Sequence, residues 1–447
     1  MKLRILILIL CLFFLPLAQS SAEEIQTLRI YGKGAAGDWD NASFEKEMPG
    51  VVIAGSEDLG VPEAKDLITV LLTKEAYDLY AVSAPWCNFT AIKNKGYALD
   101  LAQDPSIASP IRKMYPFIQD ALCTEDKIWA VPIAVDCTQW GYAPEVWEMI
   151  RDKYDMDLPT DYLSLFRFFE WWIDEGQFDF PEIGLIRADE DIKYVVTELL
   201  AQQILDIDCY KRNTSLLSEP ETGEIFRQLE KIDFSLLNKN FILEEGSDDC
   251  FIFDPFCEWT QLEDNPEELA YTPLPLHLTE KDAAFIPVDI RVMFVNPATE
   301  MADAAMRYLS TFLAEEDEVT SILLYDTDHE PLMNQPVMDE INDLDSRIRK
   351  LSEMDEDKAS QTAEDLELQK EALSKRIWKV TEEKITDYRQ MTSYFFPRTY
   401  CPVYMSDSSY DNYFHNAVLS FVQGEKSSAE FLASMENIES MMISEAE

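Results

Sequence analysis

The chain is poor in the residues from which metal centres and nucleophilic sites are built. It has three histidines in 447 residues, His277, His329 and His415, all far apart. No two cysteines stand as CxxC, so the spacing of a structural zinc site is missing. HExxH and the GxSxG elbow are also absent, which removes the sequence signs of a zinc protease or an elbow-type hydrolase. The glycines at 32, 34 and 37 follow a strand-like run, but no GK[ST] and no clear helix come after them, so they read as a tight turn rather than a phosphate cradle. Basic residues are scarce as well: 37 Lys and Arg face 85 Asp and Glu, a formal charge of −48. Nucleic acids and anionic membranes need clustered cations, so neither is an expected partner. The charge itself reads first as a solvated, non-aggregating surface, and only second as a preference for cationic ligands.

Long apolar runs are missing beyond the first residues. Lys2 and Arg4 precede an apolar run over 5–17, too short to span a bilayer. Ser20, Ser21 and Ala22 follow. This is the pattern of an export signal over 1–22, cleaved near Ala22. Cys11 lies inside the apolar run, with no lipobox before a mature start, so export without a lipid anchor is expected. Seven cysteines follow the signal, an odd number. Cys123 with Cys137, or Cys250 with Cys257, could pair; buried free thiols fit equally well.

What is present is material for a large core: 47% of residues are hydrophobic and 12% aromatic. Strand-like runs at 23–31, 51–54 and 77–82 alternate with helical spacing at 64–74 and 90–95, which predicts α/β layering with a mostly parallel sheet. Ligands of such sheets sit beyond the carboxyl ends of the strands. Those ends are 34–39, 83–86 and 136–140. The stretch 128–147 is the most informative. An apolar strand over 128–135 runs into Asp136, Thr138, Gln139, Trp140 and Tyr142, and Pro144 then opens a helix. It reads either as a passage between two packed bodies or as a core strand followed by a loop.

Further on, Thr160 or Asp161 can cap a helix over 162–175, whose Leu165, Phe168, Phe169 and Trp172 form an inward stripe. Amphipathic helices follow at 192–207 and 221–231. Strands are expected at 250–253, 285–289 and 291–295, and a helix at 299–313. Residues 337–391 read as a helical hairpin with charged outer faces, broken near 355–360. An aromatic, turn-rich stretch fills 394–414. A helix over 412–423 and a capping box at 427–430 open the way to a last helix.

The order of these pieces resembles the extracellular solute-binding proteins of ABC transporters, family 1, the group that includes maltose-binding protein. The resemblance is carried by LRIYG, by YDLYAVSAPW with KGYALDL, by VPIAVDCTQWGYAPEVWEM, by LPTDYLSLFRFFEWW, by CFIFDPFCEW, by IRVMFVNPATEMADAAMRYLSTFL and by AVLSFVQGEKSSAEFLASMENI. Two features depart from it: Gly141-Tyr142-Ala143-Pro144 stands where members often carry Tyr-Asn-Lys, and the lipid-anchor cysteine is missing.

The resemblance implies an α/β, two-lobed periplasmic-binding-protein-like fold of type II, with the helical hairpin 337–391 inserted. It implies three passages, at 131–136, 285–291 and 331–336. Lobe one then takes 23–134 and 291–330, and lobe two takes 135–290 and 331–447. Implied ligand contacts are Asp38, Trp39, Ser83 and Trp86 from lobe one, Asp136, Thr138 and Asp289 from the passages, and Phe256, Trp259, Tyr410 and Asp411 from lobe two. Aromatics for the apolar faces of sugar rings, with carboxylates and a serine for their hydroxyls, suit a carbohydrate. The four aspartates Asp38, Asp136, Asp289 and Asp411 leave an amine open. The implied role is capture of a polar solute, foremost an oligosaccharide, and delivery to ABC permease subunits, by a monomer with no cofactor, metal or enzymatic activity. The alternatives are a sensing or adhesion module of the same fold, or a secreted hydrolase using paired carboxylates.

Overall fold

A computed structural model describes residues 25–32, 41–55, 67, 71–72, 77–187, 191–211, 215–237, 250–263, 271–278, 284–352, 356–398 and 409–446. Only the elements used below are labelled. The strands are β1 (Gln26–Tyr31), β2 (Val51–Gly55), β3 (Leu79–Ser83), β4 (Val131–Asp136), β5 (Thr138–Tyr142), β6 (Gly184–Ile186), β7 (Phe251–Glu258), β8 (Thr272–Pro273), β9 (Ile286–Val295), β10 (Leu332–Met333), β11 (Trp378–Val380) and β12 (Phe395–Pro397). The helices are α1 (Tyr162–Trp171), α2 (Ile192–Lys211), α3 (Ala302–Ala314), α4 (Gln335–Ser352), α5 (Glu356–Ser374), α6 (Glu382–Met391), α7 (Ser409–Val422) and α8 (Ser428–Ala446).

Two sheets carry the molecule. The first runs β12-β9-β3-β1-β2, with β4 paired to β9; the second runs β8-β5-β7-β6. β1 lies parallel to β2 and β3, as the strand–helix alternation predicts. β9 reverses direction and pairs antiparallel with both β3 and β4. It is ten residues long because it has three partners: its first residues pair with β12, and Arg291–Val295 with β3. Each sheet has its own hydrophobic core. The first gathers Leu28, Leu79, Tyr80, Ile92, Val131, Val292, Phe294 and Tyr308. The second gathers Trp140, Phe166, Phe169, Trp172, Leu200, Ile204, Phe226, Phe253 and Phe421. Full burial contributes roughly 1.5–3 kcal/mol per large side chain before chain entropy is counted.

The ambiguous stretch 128–147 resolves into a passage. β4 ends at Asp136 in the first sheet and β5 begins at Thr138 in the second, with only Cys137 between them. Cys137 packs in the first core and Trp140 in the second. Strand alternation explains the switch, since neighbouring side chains leave a strand on opposite sides. β12 uses the same device: Phe395 packs in the first core and Phe396 in the second.

That observation corrects the expected third passage at 331–336. There β10 pairs only with β11, in a two-stranded ribbon. The chain then stays with the first core, to which Val380, Ile385, Tyr388 and Phe395 belong. Tyr388 donates to the carbonyl of Leu323 at 2.9 Å, which fastens α6 to the first body. β12 is the strand that pairs with β9. The expected hairpin is also shorter than 337–391. α4 and α5 form it, with Val337, Ile341, Leu344 and Leu366 buried and Lys370 paired with Asp345 at 2.5 Å. β11 and α6 are separate elements.

In the second body, Asp161 caps α1 and exchanges side-chain to backbone bonds with Ser164. The stripe Leu165, Phe168, Phe169 and Trp172 is buried as expected. α2 is buried on nearly all sides, including its Gln202, Gln203, Asp206 and Asp208. Of the two alternatives left open for the cysteines, the free thiols hold: Cys123, Cys137, Cys250 and Cys257 are all free, and Cys401 lies outside the described residues. Among the described residues, no helix is long and apolar enough to cross a membrane.

At Gly141, β5 has no room for a side chain against β7. A Cβ there would stand 2.5 Å from Cys257 Cβ and 2.6 Å from its Sγ. Gly141→Ala is therefore expected to destabilise the protein by about 1–3 kcal/mol. Combining it with Cys257→Gly, which removes the opposing atoms, is expected to recover part of that loss. Chemical denaturation of the two variants checks this.

Candidate ligand cleft

The sheet registers bring three of the anticipated residues onto one face. Residues directly opposite across strands share a face, as do residues two apart. Ser83 of β3 is opposite Arg291 of β9, which is opposite Ala134 of β4. One step along, Asp289 is opposite Asp136. Ser83, Asp289, Arg291 and Asp136 therefore form a polar patch, while Val135, Ile290 and Val292 point into the core. The loop after β3 is fastened to β9 by Ala84 N–H donating to Ile290 O at 2.9 Å. Asn88 closes that loop in the left-handed region (φ 50°) and caps the helix Phe89–Asn94 by accepting from Ala91 N–H. Half-buried Trp86 sits within it.

On the far side of Cys137 the second sheet offers its own face. Thr138 is opposite Glu258, with Phe256 two residues along β7, and all three are exposed. Phe256 keeps 51% of its surface open. Just beyond the end of β7, Trp259 donates its indole N–H to Trp140 O.

The charges on this face are paired in a particular way. Arg291 forks onto Asp136, Nε to Oδ2 at 3.0 Å and Nη2 to Oδ1 at 3.3 Å. Both side chains remain open to solvent, at 39% and 51%. Such an exposed pair stabilises the fold little, roughly 0–1 kcal/mol, but it holds a planar donor array and a carboxylate in fixed orientation. Asp289 gives one oxygen, Oδ1, to Arg398 Nη1 at 2.9 Å. Its Oδ2 has no hydrogen-bond partner among the described residues. Burial pushes the Asp289 carboxyl above the usual range, against the pull of Arg398. Asp206, wholly buried on α2, takes Arg398 Nε at 2.9 Å, and burial raises its pKa to about 6.

The structure places the anticipated residues unequally. Ser83, Asp136 and Asp289 share one face, and Thr138 and Phe256 line the neighbouring one. Trp259 is corrected: it is 2% exposed, belongs to the first core and packs 6.3 Å from Phe395. It is a wedge between passages rather than a ligand contact, because its indole N–H is already used on the Trp140 carbonyl. Asp38 and Trp39 lie outside the described residues, as do the side chains of Tyr410 and Asp411, which belong to α7. Arg291, Arg398, Asp206 and Glu258 were not anticipated. Asp289 and Arg291 are spaced by two within an otherwise apolar strand, and that period-two pattern was the available signal. Among the described residues, no cluster of three or more His, Cys, Asp and Glu could hold a metal.

Three solved structures align over nearly the whole chain. One comes from work on xylan utilization by the thermophilic bacterium Caldanaerobius polysaccharolyticus, at TM-score 0.51 and 13% identity, covering 92% of this chain and 99% of that one. The ABC substrate-binding protein Lmo0181 from Listeria monocytogenes, in complex with cycloalternan, aligns at TM-score 0.50 and 14% identity, over 93% and 99%. The GacH receptor of Streptomyces glaucescens, solved unliganded and with acarbose, aligns at 0.52 and 14%, over 92% and 97%. This is the two-lobed periplasmic-binding-protein-like fold. Identities this low speak for the fold alone. No family model matches the chain, and no curated protein matches it in sequence. In the terms of this fold, the two bodies are the lobes, and β4–β5 and β12 are the strands whose side chains divide between the two cores.

The two aromatics on β7 and just after it are expected to behave oppositely. Trp259→Ala is expected to cost about 3–5 kcal/mol of stability, and Phe256→Ala to stay within about 0.5 kcal/mol of wild type. Urea denaturation separates them. Equal losses would place Phe256 in the core.

Proposed function

We propose that this protein is an exported solute-binding protein that captures an oligosaccharide between its lobes and delivers it to the membrane subunits of an ABC transporter. The observation that carries this reading is the face built from Ser83, Asp136, Asp289 and Arg291, beside the exposed Phe256 and Thr138. A sugar presents vicinal hydroxyls that both donate and accept. The Asp136–Arg291 fork supplies an acceptor and a donor side by side, and Asp289 Oδ2 is an open acceptor. The apolar face of a pyranose ring stacks on an exposed aromatic such as Phe256. Hinge motion at the joining strands would close the lobes on the sugar. An export signal over 1–22, as the sequence pattern suggests, would put the protein outside the cytoplasm, where a transporter collects its solute. The carbohydrate-bound neighbours Lmo0181 and GacH support the same reading. Lmo0181 is a substrate-binding protein and GacH a receptor, which favours binding without turnover.

A thermal-shift screen with maltotetraose, xylotetraose and cyclic glucans tests it. An oligosaccharide at about 100 times its Kd adds ~2.7 kcal/mol of stability, which raises Tm by roughly 3 °C at this size. Asp289→Asn is expected to weaken binding about tenfold while leaving the fold intact, the worth of one charged hydrogen bond. The reading fails if no oligosaccharide shifts Tm, or if the bound sugar is cleaved.

A further inference from the structure

We infer that Arg398 is a positioning residue: a buried clamp that ties helix α2 of the second lobe to strand β9 and thereby aims Asp289 into the cleft. This rests on the reading of that face as the ligand site. Arg398 follows β12 directly, and its backbone N–H donates to Val288 O at 2.9 Å, so its Cα is held by the β9–β12 ladder. Its side chain is 9% exposed. The guanidinium divides its donors between two elements, Nε to Asp206 Oδ2 on α2 and Nη1 to Asp289 Oδ1 on β9, each at 2.9 Å. Asp206 is held in turn by Gln202, whose Nε2 donates to Oδ1 at 2.9 Å. One residue along α2, Gln203 donates to Phe285 O at 2.8 Å and accepts from Tyr162 at 2.7 Å. The face of α2 that looks at the joining strands is thus pinned at two places.

The geometry assigns separate tasks to the two arginines. Arg291 is solvent-open and touches the cleft through Asp136. Arg398 is buried and acts through Asp289, whose other oxygen it leaves unspent. A planar, forked guanidinium can aim separate N–H donors from different nitrogens at two carboxylates on different elements, whereas an ammonium offers a single nitrogen. A buried carboxylate stripped of its cation leaves an uncompensated charge, so any change in the angle between α2 and β9 must either carry Arg398 along or break one of its bonds. The rest position of the hinge and the orientation of Asp289 are then set by the same side chain.

Arg398→Met, Arg398→Lys and Asp206→Asn in the full chain test this, with three readouts. The first is hydrogen exchange without ligand. In Arg398→Met, exchange is expected to rise together in residues 199–211 of α2 and in β12, with α8 unchanged. The second is melting against pH. Among the described residues, the charged and titratable groups around the clamp are Asp206, Asp289, Asp136, Arg291 and the buried Cys137 thiol, with neutral Gln202. Carboxyls already raised in the folded state contribute stability at low pH that is lost as pH rises through their folded values. Removing the cation raises them further. The Tm deficit of Arg398→Met is therefore expected to be largest at pH 8 and to shrink by pH 5, with Arg398→Lys between it and wild type. The third is affinity for maltotetraose or xylotetraose, whichever binds the wild type. Arg398→Met is expected to weaken it at least tenfold, and Asp206→Asn less than threefold, because Arg398 then still holds Asp289. A Tm deficit equal at both pH values together with unchanged exchange at α2 and β12 overturns the clamp, as does equal loss of affinity in Asp206→Asn and Arg398→Met. If neither sugar binds the wild type, the carbohydrate reading fails, and exchange and pH still decide the clamp.

Discussion

The hydrogen-bonding of β9 is the constraint on which the rest of the molecule depends. This one strand is the neighbour of β3, β4 and β12. Its apolar residues Ile290, Val292 and Phe294 face the first core, while Asp289 and Arg291 face outward. Three consequences follow from one segment. It joins the first sheet together, it lies beside β4 and β12, whose side chains lead into the second core, and it supplies the charged centre of the candidate cleft. The backbone ladder supports all three, since a strand whose N–H and C=O groups are satisfied can carry polar side chains on one face without loss of order.

The joining strands switch between cores through the side-chain period of two. Cys137 and Trp140 divide between the cores, and Phe395 and Phe396 do the same across a single peptide bond. Such a joint is stiff against sliding, because a one-residue slip would turn each apolar side chain to the wrong core. Bending is resisted less, since few residues lie between the lobes. This is the mechanical character that a closing two-lobed protein requires. Buried Trp259 against Phe395, and the Arg398 network, are the side-chain contacts that define the angle from which bending starts.

Charge has two distinct roles. Over the surface, the excess of acids keeps the chain solvated and says nothing about the fold. Within the cleft, the arginines decide. Each of Asp136 and Asp289 has a guanidinium at hydrogen-bond distance, and buried Asp206 is held by Arg398 and Gln202. Composition hides this, since 85 acids make any one aspartate look ordinary.

The sequence by itself determined the α/β layering, the parallel start of the first sheet, the aromatic core of α1 and the exit of 128–147 toward a polar surface. These follow from periodicity and capping, which are local and written in neighbouring residues. It also placed Ser83 and Asp136 at strand ends, because polar residues at the ends of apolar strands stand out in one dimension, while Asp289 entered only through the family resemblance. Only the tertiary structure decided that Phe395–Pro397, and not residues 331–336, pairs with β9. Both segments are short and flanked by proline or aromatics, and the choice depends on which one finds a partner strand far away in the chain. Only the tertiary structure moved Trp259 from ligand contact to wedge and brought Arg398, Asp206 and Asp289 together. Those three are separated by 83 and 109 residues in sequence, and no local pattern records which arginine will be buried against which aspartate.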